Sequence, residues 1–425
     1  MNRSAPPGAA SRIAIVGINY APELTGIGVY STGMAEYLAA QGNAVDVYTG
    51  FAYYPQWRKA PEDEGRLYRF ERRNGVNVRR HFVYVPAKPR ALTRMLHELS
   101  FVFSASLGYL FGPRAAVTFV VSPPLPLGLP VGLIAKLKRS RVVFHVQDLQ
   151  PDAAIETGLL KPGWFTRALL GLERSTYALA DRVSTISRGM LARIEAKGVA
   201  QAKTLMFVNW ANDDLVGPRG RDTEFRDRWQ LGERFVVLYS GNLGVKQGLD
   251  MLLDCAALMR EERDLVFLIV GEGAAKPALL RRVQAERLEN VQLRPLQPPE
   301  LLSELLATAS VAAIPQLPGV GDIVLPSKLC NILAAERAVI AAAYNTSELS
   351  RILREAGCGL TVPPGDAGAL AEALRRLKAN PLELARYAAN GRRYMQERLS
   401  RTAVLPRVSE AVIALRPRAQ EESAA

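Results

Sequence analysis

Two glycine-bearing loops, each directly after a short apolar run, hold residues suited to gripping a phosphate. The first is Pro22–Gly28 (PELTGIG), which follows the run RIAIVG at 12–17. Gly26 and Gly28 would let backbone N–H groups close on an anion at a helix start. A plain tight turn between strand and helix explains the same glycines, and the full G-x-G-x-x-G fingerprint is absent. The second loop, Ser240–Gly248 (SGNLGVKQG), offers Ser240, Gly241, Asn242 and Gln247 and adds Lys246. A cation beside exposed amides suits a diphosphate whose charge grows as it departs. A solvated surface lysine is the ordinary alternative.

Two further stretches fit the same chemistry. In Gly319–Asn331 (GVGDIVLPSKLCN), Ser327 reads as a helix N-cap with Lys328 in the first turn, flanked by Asp322 and Asn331. A lysine at that end opposes the helix dipole, so its presence suggests an anion there. His145 closes the apolar run RVVFHV and is followed by Asp148, Asp152 and Glu156. It reads either as a core histidine satisfied by its neighbours or as a donor to a substrate hydroxyl. Glu23 and Asp148 are placed on the acceptor side of the same site.

Other chemistry is not supported. Cys255, Cys330 and Cys358 are too few and too scattered for a disulfide framework or a zinc site. No Asp-x-Asp stands at a strand end to hold a divalent ion, so metal independence is expected, with Lys246, Lys328 and helix N-termini neutralising the phosphates. No cofactor is expected beyond a co-substrate, and no nucleophile–base triad is visible.

These loops need a frame of parallel strands. Strand, glycine loop, helix (30–41) and strand (44–49) form a βαβ unit, and strands at 76–85, 115–121, 141–146 and 182–186 extend it. The pattern restarts at 235–239, with strands at 265–270, 291–293, 311–314 and 338–342. The expectation is two doubly wound α/β domains, 1–208 and 209–385, with a linker near 209–230 and a basic helix at about 386–415 packing back on the first. Ligands of such sheets lie beyond the carboxyl ends of the strands.

Composition permits this. The 425 residues exceed what one core sustains, and 48% hydrophobic with 22% charged residues suits two soluble domains. The net charge of +13 implies an anionic partner. The aromatics do not alternate with the basic residues as in single-strand binders, so nucleic acid is not expected. Met1–Ser11 lacks the apolar run of a signal peptide and reads as a loose tail, and the last residues as disordered. The segment 99–112 (LSFVFSASLGYLFG), with Lys88, Arg90 and Arg94 upstream, is too short to span a bilayer. It reads as a core helix or as an interfacial one on an anionic membrane, and LPLGLPVGLIAKLK at 125–138 repeats the pattern.

The ordered set NYAPELTGIGVYSTGMAEYLAAQGNAVDVYTG (19–50), FHVQDLQPDAA (144–154), LYSGNLGVKQGLD (238–250), LIVGEG (268–273) and LPSKLCNILAAERAVIA (325–341) resembles the retaining GT-B glycosyltransferases of family 4. Within them it is most similar to bacterial enzymes of colanic-acid and related exopolysaccharide synthesis. The resemblance implies two Rossmann-like domains with an interdomain cleft, the C-terminal one holding a nucleotide-diphosphate sugar, GDP- or UDP-linked. The N-terminal one would hold a saccharide acceptor, lipid-linked and met at the inner face of the cytoplasmic membrane. By that resemblance Gly26 and Gly28 approach the donor phosphates, His145 the transferred sugar, and Lys246 the leaving diphosphate. Gly273, Leu296 and Gln297 would flank base and ribose. Attack from the front face, with the leaving phosphate taking the acceptor proton, would need no enzyme nucleophile.

Two departures stand out. The family's two glutamates, eight positions apart, fall at Ile323, beside Asp322, and at Asn331; its Arg and Lys fall at Asn242 and Gln247. Two other readings remain: a sugar-nucleotide epimerase on the same scaffold, acting on donor alone, and a non-catalytic polyanion binder.

Overall fold

The computed structural model describes residues 11–23, 26–54, 56–156, 160–211, 216–244, 247–317 and 327–415. Expectations for Lys246, Asp322, the cap at Ser327 and both chain ends lie outside what it describes. The chain forms two compact units. One runs to Val208 and takes in the chain again from Leu405; the other is Asn209–Val404.

The first unit runs β1 (Arg12–Val16), α1 (Ile27–Ala40), β2 (Ala44–Gly50), β3 (Tyr68–Arg73), β4 (Val76–His81), α2 (Ala91–Phe111), β5 (Val117–Ser122), α3 (Gly128–Leu137), β6 (Arg141–Val146), α4 (Gln150–Glu156), α5 (Trp164–Leu179), β7 (Arg182–Thr185), α6 (Arg188–Ala196) and β8 (Thr204–Met206). Its sheet has the order β3-β4-β2-β1-β5-β6-β7-β8. Every pairing is parallel except β3 with β4. β5 (VTFVVS) is buried from end to end, as a strand must be when helices cover both faces. β3 is the exception in character as well as direction. It exposes charged side chains and joins β4 through Asn74-Gly75, both at positive φ, the pair that a two-residue hairpin turn requires.

The second unit runs α7 (Glu224–Arg228), β9 (Phe235–Ser240), α8 (Asp250–Leu258), β10 (Leu265–Val270), α9 (Lys276–Ala285), β11 (Val291–Arg294), α10 (Leu302–Ala307), β12 (Val311–Pro315), α11 (Ser327–Ala334), β13 (Ala338–Ala342), α12 (Glu348–Ala356), β14 (Gly359–Val362), α13 (Ala367–Ala379) and α14 (Pro381–Tyr394). Its sheet order is β11-β10-β9-β12-β13-β14, all parallel. β10, β12 and β13 are buried along their whole length. α15 (Arg401–Leu415) straddles the division between the units.

Two expectations shift. The stretch 209–230 is only partly a linker: Phe225 of α7 and Trp229, which follows it, are buried, and the Arg226 guanidinium donates to the carbonyls of Thr308 (2.7 Å) and Arg234 (2.9 Å). Those bonds fasten it into the second unit. The helix expected to leave that unit at about 386 does so only from Leu405. α14 stays on the second sheet, where Asn390 donates to the carbonyl of Gly357 (3.0 Å) and Arg392 to that of Ala334 (2.7 Å).

Candidate functional site

In the second sheet the chain leaves β9 for β10 and β11 on one side and returns to β12 on the other, so β9 and β12 bound the switch point where such sheets bind ligands. Ser240 ends β9. Gly241 then adopts φ +135°, and its N–H donates to the Val270 carbonyl at 2.9 Å. Leu243 N–H donates to the Glu272 carbonyl at 2.8 Å, so the loops after β9 and β10 are laced together. The approach requires glycine: a Cβ on Gly271 would sit 1.9 Å from the Gly241 carbonyl oxygen. Ser240, Gly241, Asn242 and Gly273 therefore form one rigid rim, and Gln247 continues it with its N–H on the Gly244 carbonyl (3.1 Å).

Lys328 reaches this rim from the first turn of α11. Its ammonium lies 3.9 Å from the centroid of the Tyr239 ring and donates to the Tyr239 hydroxyl, which donates in turn to the Asn242 carbonyl at 2.6 Å. A Cβ on Gly241 would come within 2.6 Å of Lys328 Cε, so the absence of a side chain there makes room for the lysine. No carboxylate pairs with Lys328 among the described residues. Burial pushes its ammonium down to a pKa of about 8. A desolvated cation with no counter-ion among the described residues has the charge to receive an anion. Asn331 is half-buried one turn further along α11. Leu296 and Gln297 follow β11, two strands from β9, with Leu296 exposed and the Gln297 amide donating to the Pro295 carbonyl (2.8 Å).

The first sheet reverses between β1 and β5. Beyond the carboxyl ends of those strands lies a cavity of about 290 Å³ lined by Asn19, Gly26, Trp57, His97, Glu98 and Gln150, among others. Gly26, at φ +68°, precedes α1 with no side chain capping that helix. Glu23 is buried behind the wall. Its carboxylate accepts from Tyr53 N–H (3.0 Å), Tyr54 N–H (3.1 Å) and the Asn19 amide (2.8 Å). Gly28 packs against it, a Cβ there falling 3.3 Å from Glu23 Oε2. Glu23 thus fastens the β1 and β2 loops rather than presenting a free carboxylate to an acceptor. Arg80, fully buried on β4, reinforces the joint by donating to the carbonyls of Ala21 (2.5 Å) and Gly50 (3.2 Å).

His97 Nδ1 donates to the Tyr84 carbonyl at 2.6 Å, which leaves Nε2 as a bare acceptor, buried and without a partner in the cavity wall. Burial holds this imidazole below its usual pKa. Glu98 accepts from the Gln150 amide (3.3 Å), and burial raises its carboxyl. Trp57 packs on His97 and Tyr53 with the Arg94 guanidinium 5.4 Å from its ring centre. Trp57, His97 and Glu98 were not anticipated from sequence. The adjacent His-Glu pair following a basic cluster was the available signal.

His145 is buried in the first unit with two polar neighbours. It sits on β6, 6% exposed, with Nδ1 2.9 Å from the Ser184 hydroxyl and Nε2 2.9 Å from the Gln147 amide. Both ring nitrogens are engaged, and burial lowers the pKa to about 4, so the ring is neutral at pH 7. The satisfied-core reading describes this geometry, with Gln147 the polar group one residue beyond the strand. Asp148 is half-buried next to it. Among the described residues no cluster of three or more His, Cys, Asp or Glu could hold a metal ion, and no helix is long and apolar enough to cross a membrane.

Comparison with known proteins accounts for both units. Residues 25–210 match the Glycosyl transferase 4-like domain, and residues 234–380 match Glycosyl transferases group 1. The chain is 36% identical over 405 residues to an Escherichia coli K12 protein named for colanic acid biosynthesis, the glycosyl transferase WcaI, covering 93% of this chain and 98% of that one. Among solved structures, sucrose-phosphate synthase from Thermosynechococcus elongatus superposes with a TM-score of 0.70 at 19% identity, covering 95% of this chain and 99% of the other. HepE from Anabaena, solved with UDP and glucose, gives 0.68 at 15% identity, with 95% and 100% covered. With two parallel switch-point sheets, two matched domains and a relative aligned along nearly its whole length, the chain belongs to the GT-B glycosyltransferases of the group 1 and 4-like families.

Proposed function

We propose that the protein is a retaining, metal-independent hexosyltransferase that moves a sugar from a nucleotide-diphosphate donor to a lipid-linked saccharide in cell-surface polysaccharide synthesis. The observation that carries the reading is Lys328, a desolvated ammonium with no counter-ion among the described residues, beside Gly241 at the switch point of the second sheet. A diphosphate there supplies the missing charge, with Ser240, Asn242, Gln247 and Asn331 around it and Gly273, Leu296 and Gln297 toward the nucleoside. Lys246 and Asp322, outside the described residues, stand in sequence between Asn242 and Gln247 and shortly before Lys328, respectively. UDP bound to HepE and the colanic acid biosynthesis in the name of WcaI support the donor class and the pathway class.

The chemistry follows from charge. As the C–O bond to the donor phosphate breaks, negative charge gathers on the diphosphate, and the lysine and loop amides stabilise it most at that point. The acceptor hydroxyl attacks on the face the diphosphate is leaving and gives its proton to that phosphate. In the cavity of the first unit, the bare His97 Nε2 can accept a hydrogen bond from an acceptor hydroxyl. Glu98 can do likewise, and Trp57 offers an apolar ring for a sugar face.

The basic surface fits attachment to the anionic inner face of the cytoplasmic membrane. Between residues 84 and 141 the chain carries Lys88, Arg90, Arg94, Arg114, Lys136, Lys138, Arg139 and Arg141 against Glu98 alone. Purified protein given a panel of UDP- and GDP-sugars should release nucleoside diphosphate only when a membrane lipid extract is added, with the donor's anomeric configuration kept in the product. Conversion of donor without acceptor would identify an epimerase instead. An inverted product would refute retention.

A further inference from the structure

Helix α2 changes character along its length. Its first two turns bring Arg94, His97 and Glu98 to the polar cavity at the end of the sheet. From Leu99 onward its outward side chains are apolar: Leu99, Phe103, Leu107 and Phe111, four apart and therefore on one face, are 45%, 74%, 47% and 81% exposed. An exposed apolar stripe of this length is unusual on a soluble surface and marks an interaction site.

The stripe borders two depressions. Between α2 and the β3–β4 hairpin runs a groove of about 710 Å³, walled by Leu67, Tyr68 and Phe82 on one side and Phe103, Leu107 and Phe111 on the other. Its size lies within the roughly 300–1,000 Å³ typical of small-molecule sites. A shallower apolar depression of about 410 Å³, shared with Pro130 and Ile134 of α3, lies across the same helix. In the wall of the larger groove, His81 is 6% exposed and its Nε2 has no partner. Its ring fits only because residue 108 is glycine, where a Cβ would be 1.9 Å from His81 Cε1. Burial and the neighbouring Arg79 lower the pKa of this imidazole to about 4, so it adds no charge.

We propose that the groove between α2 and the β3–β4 hairpin holds the hydrocarbon tail of the lipid-linked acceptor, whose saccharide head occupies the polar cavity at the N-terminal end of α2. The inference rests on the reading that the acceptor is lipid-borne. Three features select this occupant. At 1.5 Å per residue, the helix from Glu98 to Phe111 spans about 20 Å, which joins a polar site to an apolar one along one rigid rod. Lys88, Arg90 and Arg94 are exposed at the polar end, a charge complementary to an anionic, phosphate-bearing acceptor. A groove with apolar walls on both sides takes a single chain, whereas a bilayer surface needs only a face.

The test uses the full-length protein and farnesyl diphosphate bearing a terminal benzophenone. Irradiation should label peptides within 67–82 and 100–112, and unlabelled farnesyl diphosphate should compete. Phe103→Asp/Leu107→Asp should reduce labelling at least tenfold, with the thermal shift caused by UDP or GDP unchanged. Leu67→Asp, on the opposite wall and 71% exposed, should do the same if the double variant proves unstable. Labelling undiminished in these variants, or equal competition by phosphatidylglycerol vesicles, overturns the inference. Transfer to a lipid-linked acceptor with KM unaltered in the groove variants overturns it and leaves the lipid-borne reading standing. Transfer to water-soluble saccharides alone overturns both.

Discussion

Replacing Lys328 with methionine tests the donor site most directly, because the burial of its ammonium leads to an expected size and pH dependence of the effect. Burial lowers the ammonium from 10.5 to about 8, so holding it charged in that position costs about 3 kcal/mol relative to water. A diphosphate that fully compensates the charge returns the pKa toward its free value and recovers at most that energy, about 300-fold in Kd. Incomplete contact and the remaining loop amides reduce the loss in Lys328→Met to roughly 30- to 150-fold. The proton linkage adds a second signature. Between pH 7 and 9 the free protein loses the lysine proton while the complex keeps it, so the Kd for UDP or GDP should rise about tenfold over that interval. Calorimetric titration of each nucleotide at pH 7, 8 and 9 measures both quantities, above the phosphate's own titration near pH 6. The variant should bind weakly and with a flat pH profile. Equal affinity in the two proteins, or the same slope in both, would refute the claim that this ammonium meets the diphosphate.

Three other outcomes follow from the same geometry. His145 stays neutral in the fold to about pH 4 but takes a proton near 6.5 when unfolded, so its contribution to stability falls as pH drops through that window. Urea unfolding should show about 2 kcal/mol less stability at pH 5 than at pH 7 from this residue, and His145→Gln should remove that difference. Gly241→Ala places a Cβ 2.6 Å from Lys328 Cε at φ +135°. It should cost about 1–3 kcal/mol of stability in a thermal melt and weaken UDP or GDP binding, while the far-UV spectrum is unchanged. Dialysis against a chelator should leave turnover within twofold of the untreated enzyme. A loss restored by Mg²⁺ or Mn²⁺ would require a metal on the diphosphate.

Legibility from sequence tracked burial. Strands such as β5 and β10 announce themselves because a parallel strand covered on both faces must be apolar throughout. β3 was not anticipated because YRFERR, at a sheet edge, turns its aromatic Tyr68 and Phe70 outward and half-buries the charged Arg69 and Glu71, although Asn74-Gly75 was a turn signal. β14 is only Gly359–Val362 and half-buried, too short for a periodic pattern. α7 was hidden in a polar stretch because its core contribution comes from two aromatic residues and one buried arginine. At the sites, the type of loop was readable and the partners were not. Tyr239 looked like one more apolar strand residue, and only the fold brings it to Lys328, 89 positions away. His145 shows the converse limit, since a histidine near a strand terminus is marked by sequence but the face it occupies is not.

Under the proposed function, Lys328 is a group whose interaction strengthens during the reaction. In the resting protein it is a liability, a half-buried charge with a ring, a hydroxyl and, among the described residues, no carboxylate for company. A carboxylate beside it would relieve that cost and would also compete with the diphosphate. Because the loop carbonyls and amides around it are fixed by the lacing of the β9 and β10 loops, the site does not reorganise as charge develops. An intact donor carries its diphosphate charge partly masked by the ester to the sugar, and breaking that bond exposes one more negative charge to the same cation. The contact is therefore stronger in the transition state than in the bound donor, which is the condition for lowering the barrier rather than merely tightening binding. A metal ion would meet the same condition. In this reading lysine does so with a charge that the fold itself holds in place.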